Sequence, residues 1–289
     1  MNVLVTGSYG QLGRALQDIA LNDDQHHWLF TDIDTLDITN PFEVKQCFTS
    51  KGIDVCINCA AYTAVDQAED EPEAAFRVNA SAPKILADAC LDSRALLIHV
   101  STDYVFDGQS TVPYPVDTPV NPQSVYGRTK AEGEKFIRES GCNHIIVRTA
   151  WLYSTTGKNF VKTMLQLGDT RNEINVVNDQ RGCPTYAPDL AEALVTLMNL
   201  YSTQDIHETF HFTNEGNITW YDFACTIMKI GEKPCTVNPI TSDQYPAKAH
   251  RPSYSVLDLS KIKEATGINI PFWKDSLAKC IKEIIIKTK

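Results

Sequence analysis

The chain has 289 residues, 43% of them hydrophobic, which suits one large α/β unit or two coupled domains with a sizeable buried core. With 26 Lys and Arg against 36 Asp and Glu, the formal net charge is −10, which argues against phosphate-backbone binding as the main activity. A small anionic ligand stays admissible, because backbone N–H groups can hold phosphate on an acidic protein.

Val3-Leu4-Val5 reads as a first strand, followed by a glycine turn and a helix from Leu12 to about Leu21. Trp28-Leu29-Phe30 is a second strand, Phe42 to Ser50 a helix opened by Asn40-Pro41, and Val55-Cys56-Ile57 a third strand. Glu71 to Leu91 reads as one long helix with Pro72 near its start. Leu96 to Val100 is a fourth strand, Ser124 to Ser140 a helix and His144 to Val147 a fifth strand. Near-continuous apolar strands separated by helices predict a parallel sheet covered on both faces, a Rossmann-type doubly wound α/β fold over residues 1–150. After Trp151 the pattern loosens, with helices expected at Asn159–Leu167, Pro188–Tyr201, Tyr221–Lys229 and Trp273–Ile286. Short strands fit Ile174–Val177 and Thr209–Phe212, and Pro234–Pro252 reads as loop. Residues 151–289 are therefore expected to form a smaller C-terminal substrate-binding lobe, with part of about 170–215 returning to the main sheet.

Thr6-Gly7-Ser8 interrupts the first apolar run far short of a signal-peptide core, and no stretch approaches the roughly 18 apolar residues of a membrane span. Nine cysteines, an odd number, fit reduced thiols and a cytoplasmic location. Cys56-Ile57-Asn58-Cys59 is a CxxC within an expected strand; no second pair lies nearby, so structural thiols are expected rather than zinc or redox chemistry.

The chemistry gathers at two places. Gly7, Gly10 and Gly13 stand between the first strand and the first helix, where glycines permit a tight turn and let the backbone approach a pyrophosphate on the helix N-terminus. Asp32, with Asp34 and Asp37 close behind, is placed to meet an adenosine ribose near the end of the second strand. Asp32 alone would favour NAD, since a carboxylate accepts from a 2′-hydroxyl and repels a 2′-phosphate; the residues leave the cofactor open. Further on, Tyr126 and Lys130 sit four residues apart on one helix, so phenol and ammonium share a face. A phenol is a poor acid–base group near neutrality unless a neighbouring cation stabilises its anion. Thr102 and Asp103 follow the fourth strand, at whose carboxyl end a parallel sheet binds its ligands. Hydroxyl, phenol and ammonium together form a proton-transfer set for reduction of a carbonyl. His99, mid-strand, reads as a satisfied core histidine.

Taken with Ala60-Ala61-Tyr62-Thr63-Ala64-Val65-Asp66, Ser101-Thr102-Asp103-Tyr104-Val105-Phe106, Arg148-Thr149-Ala150-Trp151, Asn178-Asp179-Gln180 and Arg251-Pro252, these motifs resemble the extended short-chain dehydrogenase/reductases. Within them the chain is most similar to the dTDP-4-dehydrorhamnose reductases. The resemblance implies NADPH-dependent reduction of the C4 keto group of a dTDP-sugar, with NADH admitted by Asp32. It implies that Gly10, Gln11 and Leu12 line the pyrophosphate, that Asp32, Asp37 and Ile38 lie at the adenosine end, and that Ala61, Tyr62, Thr63 and Val100 border the nicotinamide. Tyr126 would be the proton donor and Lys130 its partner and ribose ligand. Thr102, Asp103 and Trp151 would meet the sugar, and Arg251 is the candidate for its diphosphate.

Two other readings compete for the same residues. An epimerase would show no net cofactor oxidation; family dehydratases resemble Thr-Asp-Glu where this chain has Thr102-Asp103-Tyr104. A non-catalytic, cofactor-binding regulatory subunit, like the beta subunit of methionine adenosyltransferase, would have no need of Thr102, Tyr126 and Lys130. Metal-bridged dimers of the family use glutamates where Ala15 and Pro188 stand here, with Glu283 matching a third; Asp189 and Glu192 lie near the second position. No metal is therefore expected, and the chain should be a monomer or a metal-independent homodimer that binds neither nucleic acid nor membrane.

Overall fold

A computed structural model describes residues 1–288. The first half alternates strand and helix: β1 (Asn2–Thr6), α1 (Gln11–Ala20), β2 (His27–Thr31), α2 (Pro41–Lys51), β3 (Val55–Asn58), the short α3 (Val65–Ala68) and α4 (Pro72–Phe76), α5 (Ala82–Ser93), β4 (Leu96–Thr102), α6 (Val125–Ser140) and β5 (His144–Thr149). There follow β6 (Leu152–Tyr153), α7 (Phe160–Thr170), β7 (Glu173–Val177), β8 (Arg181–Gly182), β9 (Thr185–Tyr186), α8 (Ala187–Tyr201), β10 (His207–His211), β11 (Ile218–Thr219), α9 (Trp220–Ile230), β12 (Thr236–Ile240), α10 (Ser260–Thr266) and α11 (Trp273–Thr288).

Six strands form one parallel sheet in the order β10-β5-β4-β3-β1-β2. Its strands are apolar because both faces are covered. Val3, Val5, Ile57 and Ile98 meet Leu16 of α1 and Leu190 and Leu194 of α8 on one side. Leu4, Cys56, Leu97 and Ile146 meet Phe48 of α2, Leu86 of α5 and Ile137 of α6 on the other. A separate core of Val161, Met164, Phe223, Ile227, Leu277 and Ile281 joins α7, α9 and α11. The chain runs from β1 outward to β2 and then back across β1 to β3, so the strand order reverses at β1 and β3. A doubly wound sheet opens its ligand crevice at such a reversal.

Two expectations from the sequence need correction. The helix expected over 71–91 carries a π turn at Arg77–Ser81 between α4 and α5. Pro83 has no N–H to return to the Asn79 carbonyl, and the helix widens there. The segment 234–252 is not all loop: β12 pairs in parallel with β7, with Pro239 inside it. A strand paired on one side only tolerates proline, because the missing donor can face the open edge. Helix α10 was also unforeseen.

Candidate active site

The glycine turn is shaped by contact. Gly7 has φ +66°, and a Cβ there would lie 2.7 Å from the Ala60 backbone. At Gly13 a Cβ would lie 2.5 Å from the Gly7 carbonyl oxygen. Gly10 caps α1 with no side-chain bond to its first N–H groups and no acidic residue in the first turn. These donors are free to take an anion at the positive end of the helix. Asp32 secures the turn from β2, its Oδ2 accepting the Tyr9 N–H at 2.8 Å, while Asp34 accepts the Tyr9 hydroxyl at 3.1 Å.

The turn opens onto a cleft of about 720 Å³. Gly7, Gly10, Gln11, Leu12, Gly13, Asp32, Asp37, Ile38, Ala61, Tyr62, Thr63, Val100, Thr102, Asp103, Tyr126, Lys130 and Trp151 all line it. Of the candidates named from the sequence, Arg251 is not among the lining residues.

Tyr126 is delivered by the start of α6. Ser124 caps that helix, its hydroxyl accepting the Gly127 N–H at 3.1 Å, and the Glu69 carboxylate accepts the Val125 N–H at 2.8 Å. A Cβ at Gly127 would fall 2.2 Å from the Tyr104 carbonyl oxygen, so only glycine lets α6 come this close to the end of β4. The rings of Tyr126 and Tyr104 then meet edge to face, centroids 5.5 Å apart. Loss of water pushes the Tyr126 phenol above its ordinary pKa, opposed by its hydrogen bond with Thr102 and reinforced by Asp103 and Tyr104. It is a firm phenol, hence a donor. The Thr102 hydroxyl donates to Asp103 Oδ1 at 3.0 Å. Asp103 is buried, which raises its carboxyl to about 6, and its Oδ2 has no partner. Asp103 lines the cleft, but this oxygen is itself shut off from solvent.

Lys130 is 1% exposed, and burial lowers its pKa to about 8. Its Nζ donates to the Val100 carbonyl at 2.7 Å and lies 3.2 Å from His99 Nε2. His99 is buried and satisfied, as expected, but its partners are Lys130 and Asn58 rather than inert core.

Trp151 adopts a left-handed backbone, φ +48°, rare for a bulky residue and found where surrounding structure imposes it. Its ring stacks on Trp220 at 3.7 Å, and a Cβ at Gly182 would lie 2.8 Å from that ring. Trp220 also lines the cleft, yet no local pattern marked it. Arg251 Nη2 pairs with Asp66 at 2.7 Å and Nη1 donates to the Tyr104 hydroxyl at 3.3 Å, so it braces the ring behind Tyr126. Asn79, in the π turn, was likewise unmarked; it accepts the Tyr62 N–H at 2.8 Å and donates to the Tyr62 carbonyl at 3.1 Å, fixing that part of the wall. Gln11 Oε1 accepts from Asn159 at 2.8 Å and from the Ser154 hydroxyl at 3.2 Å, tying α1 to the second half of the chain.

Among the described residues, no three His, Cys, Asp or Glu side chains converge as a metal site would require. Asp189 Oδ2 accepts from Asn214 at 2.6 Å and from Ser276 at 2.5 Å, and Glu283 accepts from the Tyr186 hydroxyl at 3.4 Å. No helix among them is long and apolar enough to cross a membrane.

Comparison with known proteins follows the same lines. The family model described as the RmlD substrate binding domain matches residues 1–286. A dTDP-4-dehydrorhamnose reductase of Aggregatibacter actinomycetemcomitans is 41% identical, over 95% of this chain and 96% of its own length. The crystal structure of a dTDP-4-dehydrorhamnose reductase from Clostridium acetobutylicum superposes with a TM-score of 0.93 at 42% identity, over 99% of this chain and 100% of that one. That of a Bacillus anthracis dTDP-4-dehydrorhamnose reductase in complex with NADP gives 0.93 at 37% identity, over 98% and 99% of the two chains.

Proposed function

Because the chain belongs to the RmlD family of dTDP-4-dehydrorhamnose reductases, we propose that it reduces the C4 keto group of dTDP-4-dehydro-L-rhamnose to give dTDP-L-rhamnose, with NADPH as reductant. The observation that carries this is one cleft holding both the uncapped glycine turn and the Thr102–Tyr126–Lys130 set. The glycine turn fits the cofactor: free N–H groups at the start of α1 would take its pyrophosphate, and Asp32, Asp37 and Ile38 would border its adenosine end. Both Asp32 oxygens accept backbone N–H groups, Oδ2 from Tyr9 at 2.8 Å and Oδ1 from Ile33 at 2.9 Å, so the carboxylate is already engaged beside the adenosine end. NADPH supplies the hydride when bound.

The chain's own residues do the rest. Tyr126 donates its proton to the substrate oxygen as charge develops there. Lys130 in its ammonium form stabilises the tyrosinate left behind. Thr102 holds the phenol, and Asp103, its Oδ1 accepting from the Thr102 hydroxyl, lines the cleft where the sugar would sit. Trp151, pinned against Trp220, offers an apolar face to the hexose. Arg251 supports Tyr104 and closes the rim near Asp66, which makes it a positioning residue in preference to a diphosphate ligand. Residues 1–150 with α8 and β10 form the cofactor-binding unit, and most of 151–289 forms the substrate lobe. The enzyme works as a monomer or as a dimer without bridging metal. Incubation with dTDP-4-dehydro-rhamnose and NADPH tests the reading: one cofactor oxidised per dTDP-rhamnose formed is expected, and sugar conversion without net oxidation would turn it into an epimerase.

A further inference from the structure

A row of polar side chains crosses the sheet beneath the cleft. Thr6, Asn58 and His99 are register neighbours on β1, β3 and β4, and all are buried. The Thr6 hydroxyl donates to Asn58 Oδ1 at 2.7 Å, and the Ala60 backbone N–H donates to the same oxygen at 3.2 Å. A backbone N–H can only donate, so the Asn58 amide is oriented without ambiguity, its oxygen toward Ala60 and its nitrogen toward His99. Asn58 Nδ2 lies 2.9 Å from His99 Nδ1. An amide nitrogen is a donor only, so His99 Nδ1 must be the acceptor and carries no hydrogen. A neutral imidazole then has its hydrogen on Nε2, which faces Lys130 Nζ at 3.2 Å. An ammonium has no acceptor to offer. As an ammonium, Lys130 would meet that N–H donor to donor; as a neutral amine, it accepts from Nε2 and still donates to the Val100 carbonyl.

We propose that Asn58 and His99 are positioning residues for the reaction: Asn58 locks His99 in the Nε2–H tautomer, and that N–H holds Lys130 as a neutral amine until a ligand fills the cleft. When ribose hydroxyls supply new acceptors, Nζ takes a proton from solvent and turns its hydrogens to them and to Val100, becoming the cation that Tyr126 needs. The lysine is therefore charged when cofactor is present to use it. The titratable and charged groups around the pair are Cys59 after β3, Glu134 and Arg138 on α6, and His144 on β5. Glu134 favours the ammonium, but its carboxylate is already held by Arg148 and Arg138. Burial lowers the lysine in the same direction as the proposed contact, and burial, with Arg138 and His144, keeps His99 from protonating. This deepens the role given to Lys130 in the reductase reading and rests on that reading.

The tautomer can be read directly in the enzyme without cofactor, by NMR of protein labelled with 15N-histidine, with His99→Gln identifying the signal. A neutral ring bearing hydrogen on Nε2 is expected throughout the range of about pH 6 to 8. A hydrogen on Nδ1, or an imidazolium, overturns the proposal. In Asn58→Asp the new carboxylate oxygen accepts from Nδ1–H, reverses the tautomer and makes Nε2 an acceptor for the ammonium. The alkaline limb of the kcat/KM profile should then move up by about 1 to 3 pH units. A uniform loss of activity with the limb unmoved would show a merely structural role and refute the idea. Failure of the reductase reading would appear separately, as wild-type enzyme that does not turn over the dTDP-sugar whatever its tautomer.

Discussion

Replacing Tyr126 by Phe removes one hydroxyl and little else. The ring keeps its edge-to-face contact with Tyr104, and the cap of α6 by Ser124 does not involve the phenol. The fold and the glycine turn should therefore be untouched, and cofactor affinity should stay within about twofold of wild type. Chemistry should not. Loss of a general acid slows turnover by roughly 10²–10⁴-fold, or about 2.7–5.4 kcal/mol of transition-state stabilisation. Two features of the site place the expectation in the upper part of that range. The phenol is held protonated by its surroundings, so it is the ready donor near neutrality. Thr102, a hydroxyl beside it, is engaged with the buried Asp103 carboxyl. The assay is single-turnover oxidation of NADPH in the presence of the 4-keto sugar, followed by absorbance, which separates chemistry from product release. A single-turnover rate within about threefold of wild type would refute Tyr126 as the acid, and with it the role of Lys130 as the cation that stabilises its anion.

Other perturbations test the frame around the site. Glu134 is fully buried and receives two bonds from Arg148, at 2.9 and 2.7 Å, and one from Arg138 at 2.8 Å, the arginines overcoming burial to hold its pKa at about 2. Glu134→Gln leaves Arg148 buried and unpaired and should cost about 3–5 kcal/mol in urea denaturation. Because the folded-state pKa lies below the unfolded value, the wild type keeps this contribution above roughly pH 4.5 and loses it as pH falls toward 2, while the variant's stability should be flatter across that window; equal acid slopes would contradict the pairing. Exhaustive EDTA treatment should change neither turnover nor mass in solution, since Ala15 and Pro188 supply no carboxylate; lost activity with a dimer-to-monomer shift would reveal a metal site.

Much of the fold was legible because its signals are local. Apolar runs such as Leu96–Val100 and His144–Val147 suit strands buried on both faces, as in a covered parallel sheet. The glycine turn and the Tyr126–Lys130 spacing are likewise contained within a few residues. What escaped depends on contacts between distant segments. Asn79 looked like any helical residue until Pro83 widened the helix around its carbonyl. Trp220 meets Trp151 from an element 69 positions further on, and nothing within either segment anticipates the stack. Pro239 argued for loop, and only the pairing of β12 with β7 shows why a strand could keep it.

Arg251 and His99 show how neighbours add to what residue type suggests. An arginine near a cleft expected to take a diphosphate invites assignment to that anion, and here Asp66 lies 2.7 Å from its guanidinium. Its Nη1 also donates to the Tyr104 hydroxyl at 3.3 Å, and that ring meets Tyr126 edge to face. A histidine in an apolar strand invites assignment to the core, and by burial it belongs there. What distinguishes it is its register: the reversal of strand order at β1 and β3 puts Thr6, Asn58 and His99 side by side, and the last of these lies against Lys130. The same reversal that opens the crevice for ligand therefore also lays the polar row beneath it. A backbone N–H at Ala60 orients that row from one end, and the lysine reads it at the other. Side-chain chemistry in this fold is thus set by strand order as much as by residue identity, since Asn58 or His99 moved by one position along its strand would point to the opposite face of the sheet and reach neither partner.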